Sequence, residues 1–203
     1  MFYDFSGEAA ALGYGILANT VTPRPIAWIT SCDETGRVNA APYSFFNAMG
    51  GRPPTLAVGF LAGINGWKDT ARNLRERGEF VVHLVSQDLA AVMNQSSAGY
   101  PPEVSEAEVL GIDLLPGQRI ATPRIAAARV AFECRLLQFV ETGAFQGTAV
   151  AEVLGAHIAD FAISNPARGH VDREALELIA RLDGRSRYAC DFEVFDMPRP
   201  DVE

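Results

Sequence analysis

Short segments of apolar residues, several of them alternating with polar ones, dominate the first half of the chain. Such segments, bounded by Gly, Pro, Asp or Ser, are typical of β-strands. Four are predicted as strands: residues 25–30 (PIAWIT), 38–44 (VNAAPYS), 55–63 (TLAVGFLAG) and 79–86 (EFVVHLVS). The first two flank DETG, residues 33–36, whose leading acid and closing glycine predict a hairpin turn. Residues 50–54 (GGRPP) are interpreted as a break between strands.

The second half of the chain combines two longer strands with helical segments. The long strands are predicted at residues 129–141 and 148–163. A helix with Gly78 after its last turn is predicted at residues 67–78, and another at 87–95. A last helix is predicted to begin at the N-cap Asp172, because an i, i+3, i+4, i+7 apolar stripe follows: Ala175, Leu178, Ile179 and Leu182.

Two regions have no strong periodicity. Residues 96–124 contain four prolines and predict a long excursion with a helical turn or two near residues 105–110. The tail, residues 186–200, predicts a closing strand and an extended end. Strands spaced by 8–12 residues with helices inserted between them favour one antiparallel β-barrel domain, residues 1–203, over a doubly wound sheet. No GxGxxG follows a strand, so a Rossmann cofactor site is not expected.

Composition removes several classes of function. The chain is 48% hydrophobic and 21% charged, its net charge is −8 and its pI is about 4.9, so nucleic-acid binding is disfavoured. No apolar run approaches the roughly 18 residues of a membrane helix, and the N-terminus lacks a basic signal-peptide region, so a cytoplasmic location is expected. The cysteines Cys32, Cys134 and Cys190 and the three histidines are widely spaced, so neither a disulfide framework nor a metal site is predicted.

The stretch NGWKDTARN is the first candidate for chemistry. Lys68, Asp69 and Thr70 open the predicted helix, where free backbone N–H groups, an ammonium and a hydroxyl could converge on one anion. The alternative is a plain helix start, with Asp69 complementing the dipole and Lys68 in solvent.

The strand pair PIAWITS and NAAPYSFFN is the second candidate. The small side chains of Ala40 and Ala41 and the missing donor of Pro42 would allow a flat ring to approach the backbone. Hydroxyl and amide groups for its edge come from four residues: Thr30, Ser31, Ser44 and Asn47. A tight barrel corner that needs small residues for packing explains the same pattern, and both interpretations stay open.

The order of motifs over residues 22–85 closely resembles the flavin reductase-like family of FMN-binding split β-barrels. The matching text is TPRPIAWITSCDETGRVNAAPYSFFNAMGGRPPTLAVGF, followed by WKDTARNLRERGEFVVHLV. The later stretch ARGHVDREALELIARLDGRSRYA resembles the C-terminal end of the longer members. The resemblance implies a mainly β, antiparallel, Greek-key type split barrel with inserted helices, usually a homodimer.

The resemblance also implies a cofactor and a reaction. Members hold FMN, or in some cases FAD, and many use NADH or NADPH to reduce it by hydride transfer to the isoalloxazine N5. Thr30 and Ser31 would contact the isoalloxazine edge. The ring and ribityl chain would be lined by Ala41, Pro42, Tyr43 and Ser44, with Asn47 nearby. Lys68, Asp69 and Thr70 would bind the phosphate, supported by Asn73.

No catalytic acid is assigned by the sequence. His170 before the last helix, and Tyr188 next to Arg187, are candidates by resemblance, whereas His83 is interpreted as a core or interface histidine. The expected function is an NAD(P)H-dependent flavin reductase that passes reduced flavin or electrons to a partner monooxygenase or another acceptor. Two alternatives stay open: an electron carrier that retains FMN, and a split barrel that binds a different ligand.

Overall fold

A computed structural model describes residues 1–61, 63, 66–184, 186–190 and 192–200. The strands are β1 (Arg24–Pro25), β2 (Ala27–Cys32), β3 (Val38–Tyr43), β4 (Phe46–Gly51), β5 (Pro54–Phe60), β6 (Glu79–Leu84), β7 (Leu114–Leu115), β8 (Arg124–Ile125), β9 (Val130–Gly143), β10 (Gln146–Ile158), β11 (Ile163–Asn165), β12 (His170–Val171), β13 (Ala180–Arg181) and β14 (Tyr188–Ala189). The helices are α1 (Gly13–Thr20), α2 (Asp69–Arg77), α3 (Ala90–Gln95), α4 (Glu106–Val109) and α5 (Arg173–Leu176). Short 3₁₀ turns cover Glu8–Leu12, Gln87–Leu89, Asp160–Ala162 and Pro166–Arg168.

One antiparallel sheet carries the fold. Its seven strands follow the order β3-β2-β6-β9-β10-β5-β4. The two end strands of that order, β3 and β4, are consecutive in the chain and only Ser44 and Phe45 separate them. Because two residues span about 7 Å at most, the sheet must curl until its ends meet. The Gly59 N–H donates to the Phe45 carbonyl (2.6 Å) at this corner.

Apolar side chains fill the curled sheet and the layer outside it. The inner cluster contains Ile29, Phe60 and Phe80, and α2 contributes Leu74 to it. A second cluster around Trp28 and Met93 packs between the opposite face of β2 and helix α3. The site described below lies where α2 meets β2 and β3.

Most predicted elements are present in the structure. The four early strands, the hairpin turn after Cys32, the long strand at 129–141 and the helices at 67–78 and 87–95 all form within a few residues of their predicted bounds. Gly78 follows α2 in the left-handed conformation (φ 70°), which glycine adopts without the Cβ clash. Ala62 of the predicted strand 55–63 lies outside the described residues, and so does Asp191 of the predicted tail 186–200.

Three predictions are corrected. The segment GGRPP is no simple break, because its glycines end β4 and its last proline begins β5. The helix after Asp172 is wrong beyond Leu176: Asp172 does cap it, but Glu177 turns left-handed (φ 46°) and the Ile179 N–H bonds the Val85 carbonyl (2.9 Å). Strand pairing therefore overrides the apolar stripe. The strand predicted at 148–163 ends at Ile158, and a 3₁₀ turn covers Asp160–Ala162. Helix α1 has no counterpart among the predicted elements.

Candidate functional site

Strand alternation divides the predicted ring-binding residues between two faces of the sheet. Ser31 pairs with Asn39, and Thr30 pairs with Ala40. Because side chains alternate along a strand, Ser31, Asn39 and Tyr43 share the face toward α2, whereas Thr30 points to the other face. Pro42 lies on the Thr30 side of β3 by the same rule.

A buried polar cluster joins this face of the sheet to α2; it consists of Ser31, Asn39, Thr70 and Asn73. The Asn39 amide donates to the Thr70 hydroxyl (2.8 Å) and to the Ser31 hydroxyl (3.3 Å), which also accepts from the Asn73 amide (3.1 Å). All four residues are at least nine-tenths buried. Since buried polar groups are tolerated only when hydrogen-bonded, this network fixes the first turn of α2 on the sheet.

The N-terminus of α2 has the properties of an anion site. Its N-cap is Lys68, whose side chain makes no capping hydrogen bond, so the N-cap residue leaves the first-turn N–H groups unpaired. Lys68 is the only lysine in the sequence. Its ammonium lies 5.8 Å from the centre of the Tyr43 ring. An ammonium, the helix dipole and free N–H groups together form a donor set that fits a phosphate group.

Two neighbours modify this site. Asp69 forms an ion pair with Arg72, which also donates to the Trp67 carbonyl (2.8 Å), so the negative charge of Asp69 is compensated within the first turn. Tyr43 is buried against Phe60, and burial raises the pKa of its phenol well above the usual value. The phenol therefore stays neutral and offers an aromatic wall.

Thr30 and Pro42 have structural roles on the opposite face. The Thr30 hydroxyl donates to the Pro123 carbonyl (2.6 Å) and the side chain is fully buried. The Ala40 N–H points away from β2 and donates to the Glu106 carboxylate (3.0 Å). Pro42, two residues on, lies with its nitrogen on that same outer side, so its missing donor removes no hydrogen bond to β2. Burial raises the pKa of Glu106.

Ser44 and Asn47 line a separate groove of about 380 Å³ between the barrel corner and α1. Ser44 accepts from the Arg24 guanidinium (3.4 Å), and the Asn47 side chain accepts from the Ala48 N–H (2.8 Å). Ala41 is half-buried and packs on the inner core. In the described contacts, the structure does not join Ser44 or Asn47 to the buried polar cluster.

The candidate catalytic residues lie elsewhere. His170 is exposed and lines a cavity of about 910 Å³ beside β8 and the end of β10. Tyr188 is half-buried in the small sheet β1-β13-β14, with the Arg181 guanidinium 4.7 Å from its ring centre. Its neighbour Arg187 pairs with Asp183 (3.4 Å). His83 is fully buried, in agreement with the core interpretation.

Sequence reasoning missed Asn39 and Glu106. Asn39 stands two residues before Ala41 and four before Tyr43, so the alternation of the strand placed it on the site face, and its amide joins both candidate motifs. Glu106 had no comparable signal, because its partner at Ala40 is 66 positions away in the chain.

The curled antiparallel sheet with α2 packed at its rim places the chain among the split-barrel folds. The family model "Flavin reductase like domain" matches residues 19–173, and the chain belongs to this family. The split-barrel prediction is thereby confirmed.

Three relatives indicate how closely the chain follows its family. An uncharacterised protein from Deinococcus radiodurans is 41% identical over 202 residues, which cover 97% of this chain and 88% of that protein. Nitrilotriacetate monooxygenase component B from Bacillus cereus superposes with a TM-score of 0.90 at 30% identity, covering 97% of this chain and 98% of that one. A 2-nitrobenzoate 2-nitroreductase from Pseudomonas fluorescens gives a TM-score of 0.88 at 30% identity, with coverages of 98% and 96%.

These similarities support a flavin-related oxidoreductase with a flavin cofactor. No helix in the described part of the chain is long and apolar enough to cross a membrane.

Proposed function

We propose that the protein binds FMN and reduces it with NADH or NADPH, FAD being the alternative flavin. The observation that carries the proposal is the open N-terminus of α2, where Lys68 stands next to the buried polar cluster. The similarity to a monooxygenase component at 30% identity supports the reaction class and a partner monooxygenase or another electron acceptor. When bound, the flavin supplies the hydride acceptor, its N5 atom.

The residues of the chain would act by binding and orientation. Lys68 and the first-turn N–H groups of Asp69 and Thr70 would hold the phosphate, and Asn73 would keep that turn in place through Ser31. Ser31 and Asn39, whose polar groups are occupied within the buried polar cluster, would support the phosphate end from beneath, and the buried Tyr43 ring would exclude water beside it. The backbone atoms and side-chain volume of Thr30, Ala41 and Pro42 would shape the flavin site. Ser44 and Asn47 would line the part of the site that extends past the barrel corner.

The direct experiment is to purify the protein, record its visible spectrum with and without added FMN, and follow NADH and NADPH oxidation at 340 nm. The proposal requires FMN binding and flavin-dependent oxidation of at least one nucleotide. A colourless protein that neither binds FMN nor oxidises either nucleotide would contradict it.

Lys68→Ala is expected to weaken FMN binding about 10- to 100-fold, the effect of losing one charge-assisted contact of roughly 1.5–3 kcal/mol. The control is Arg52→Ala, which removes one positive charge from the exposed turn between β4 and β5. Fluorescence titration of FMN measures both. Equal affinity of the Lys68 variant and the control would show that the phosphate lies elsewhere.

Because Lys68 is the only lysine, chemical labelling gives an independent test. Reductive methylation followed by mass spectrometry can modify only the Lys68 side chain and the N-terminal amine of Met1. Saturating FMN should slow methylation at Lys68 and leave Met1 unchanged, so each sample contains its own reference. Parallel slowing at both amines would argue against contact between FMN and Lys68.

A second candidate function is electron transfer from retained flavin to an acceptor. The similarity to a nitroreductase, equal in identity to the monooxygenase component, favours keeping this alternative. Dialysis separates the two: a flavin-releasing reductase loses FMN, whereas a carrier or a nitroreductase-like enzyme stays yellow and bleaches on addition of NADH.

A further inference from the structure

The cavity of about 910 Å³ beside β8 and the end of β10 shares no lining residue with the buried polar cluster, and we call it the Arg124 cavity. Apolar groups form much of its wall, including Ile158, Phe161 and the alanines at 126–128. Its charged and titratable side chains are Asp88, Arg124, Arg129, His157 and His170. None of these side chains belongs to the proposed flavin site.

Arg124 has an unfulfilled hydrogen-bonding requirement. Its Nε atom is buried and has no hydrogen-bond partner, the one such side-chain nitrogen or oxygen found within the described ranges. No ion pair within 4 Å involves Arg124 in that part of the chain, whereas Arg129 pairs with Asp88 (3.4 Å) and Glu177 (2.6 Å). Among the described residues, the Arg124 guanidinium therefore has no acidic partner within 4 Å. A buried donor without a partner is rare in folded proteins, and Arg124 also lines the cavity.

The backbone holds Arg124 in place from both sides. The Pro123 carbonyl accepts from the Thr30 hydroxyl (2.6 Å), and the Ile125 N–H donates to the His83 ring (2.9 Å). Both bonds are to strands of the main sheet. The guanidinium thus projects from a fixed point, which reduces the entropy lost when it binds a ligand.

His157 is fixed on the same wall. Its Nε2 atom lies 2.5 Å from the buried Glu133 carboxylate, which also accepts from the N–H groups of Gln118, Arg119 and Ile120. Burial by itself would raise the pKa of Glu133, but His157 and the N–H groups of Gln118 and Arg119 hold it below the usual value. The ionised carboxylate orients the imidazole of His157 on the cavity wall.

We propose that the Arg124 cavity binds a small organic carboxylate with an apolar body, the carboxylate accepting from Arg124 and the body packing on the alanines and Phe161. A guanidinium matches two carboxylate oxygens at once, and the apolar wall favours a ring or short chain over a bare inorganic anion. This site goes beyond the proposed flavin chemistry and does not rest on it.

Isothermal titration calorimetry of the full-length protein with benzoate and with its neutral analogue benzamide tests the site. Benzoate should bind at least tenfold more tightly than benzamide. Arg124→Gln should remove that preference, and Arg52→Gln, which removes an exposed arginine, should retain it. Arg124→Gln should also bind FMN like the wild type, and Lys68→Ala should bind benzoate like the wild type, so this site and the flavin site can fail separately.

Two further measurements keep the proposal testable if the Arg124→Gln variant does not fold. Arg124→Lys retains the positive charge but lacks the paired N–H donors of a guanidinium. This variant should therefore bind benzoate more weakly than the wild type does, but still more tightly than it binds benzamide. A crystal of the wild-type protein soaked in benzoate should show the carboxylate about 3 Å from the guanidinium. Equal binding of benzoate and benzamide, binding of inorganic phosphate but not benzoate, or benzoate density elsewhere only would overturn the proposal.

Discussion

The His83 side chain is held in one tautomer by two buried hydrogen bonds. Its Nδ1 lies 2.8 Å from the Trp28 carbonyl and must donate to it, while Nε2 accepts from the Ile125 N–H (2.9 Å). A proton on Nε2 would break the second bond. Burial lowers the pKa of His83 to about 4, so the ring is neutral in the folded protein at pH 7.

This histidine predicts a loss of stability in mild acid. Between the unfolded-state pKa of about 6.5 and the lower folded-state pKa, the His83 imidazole binds a proton in the unfolded chain but not in the folded chain. Lowering the pH through this range therefore favours the unfolded chain. The free-energy advantage of the wild type over His83→Gln should therefore shrink by roughly 2 kcal/mol between pH 6.5 and pH 5. Urea unfolding across this range measures it. Parallel pH profiles of the two proteins would contradict the prediction.

At the same scale, the sequence predicted some site residues better than others. Lys68, Asp69, Thr70 and Asn73 are close in the chain, and helical spacing alone places them on the first two turns of α2. The hydrogen bond of the Thr30 hydroxyl could not be predicted, because its acceptor, the Pro123 carbonyl, lies 93 positions away in the chain. Local spacing defines a helix terminus, whereas a side chain buried between distant segments depends on the assembled fold.

Among the elements, the hairpin of β9 and β10 depends on one glycine. A Cβ at Gly147 would lie 2.5 Å from the Phe139 ring and 2.8 Å from the Val140 carbonyl oxygen. Phe139 in turn packs edge-on against Trp67, with ring centres 5.2 Å apart, next to the start of α2.

Gly147→Ala is therefore expected to destabilise the protein by about 1–3 kcal/mol, since the strand or the ring must move to accept the methyl group. Gly143 in the same hairpin is the matched control: a Cβ there meets its nearest atom at 3.7 Å, so Gly143→Ala should stay within about 0.5 kcal/mol. Chemical denaturation measures both variants. Equal effects at the two positions would show that the close approach to Phe139 does not matter.

The elements that sequence reasoning predicted are apolar segments bounded by turn residues and one amphipathic helix. β2, β3, β6 and α2 are of these kinds, and they form where expected. β4 was missed because its residues 46–51 lack alternation and end in glycines, and they become a strand only by pairing with β5. The helix predicted after Asp172 had the right period, but pairing with β1 places Ala180 and Arg181 in β13 instead.

For the molecule as a whole, an exposed apolar surface lies on α1. Tyr14, Leu17 and Val21 follow one another at i, i+3 and i+7, and each is at least half exposed. Leu17 and Val21 line the groove at the barrel corner together with Phe46 and Met49. Large exposed apolar surfaces of this kind mark interfaces, and the resemblance to the family implies a homodimer.

We therefore expect a dimer of 21.9-kDa chains in solution, closed by the α1 surface of each copy. Leu17→Glu should convert it to a monomer by placing a charge in the interface, whereas Leu137→Glu, at a similarly exposed position of β9, should not. Light scattering after size-exclusion chromatography measures the mass. A monomeric wild type, or dissociation by both variants alike, would contradict the prediction.

The outer edge of β3 has a consequence for behaviour at high concentration. Sheet edges aggregate when they offer a row of unpaired backbone groups to a strand of another molecule. Here the Ala40 N–H is taken by Glu106, the Val38 carbonyl accepts from the Ser105 hydroxyl (2.6 Å), and Pro42 has no N–H to offer. The proline in the middle of the strand thus helps to keep the folded protein from growing into intermolecular sheets.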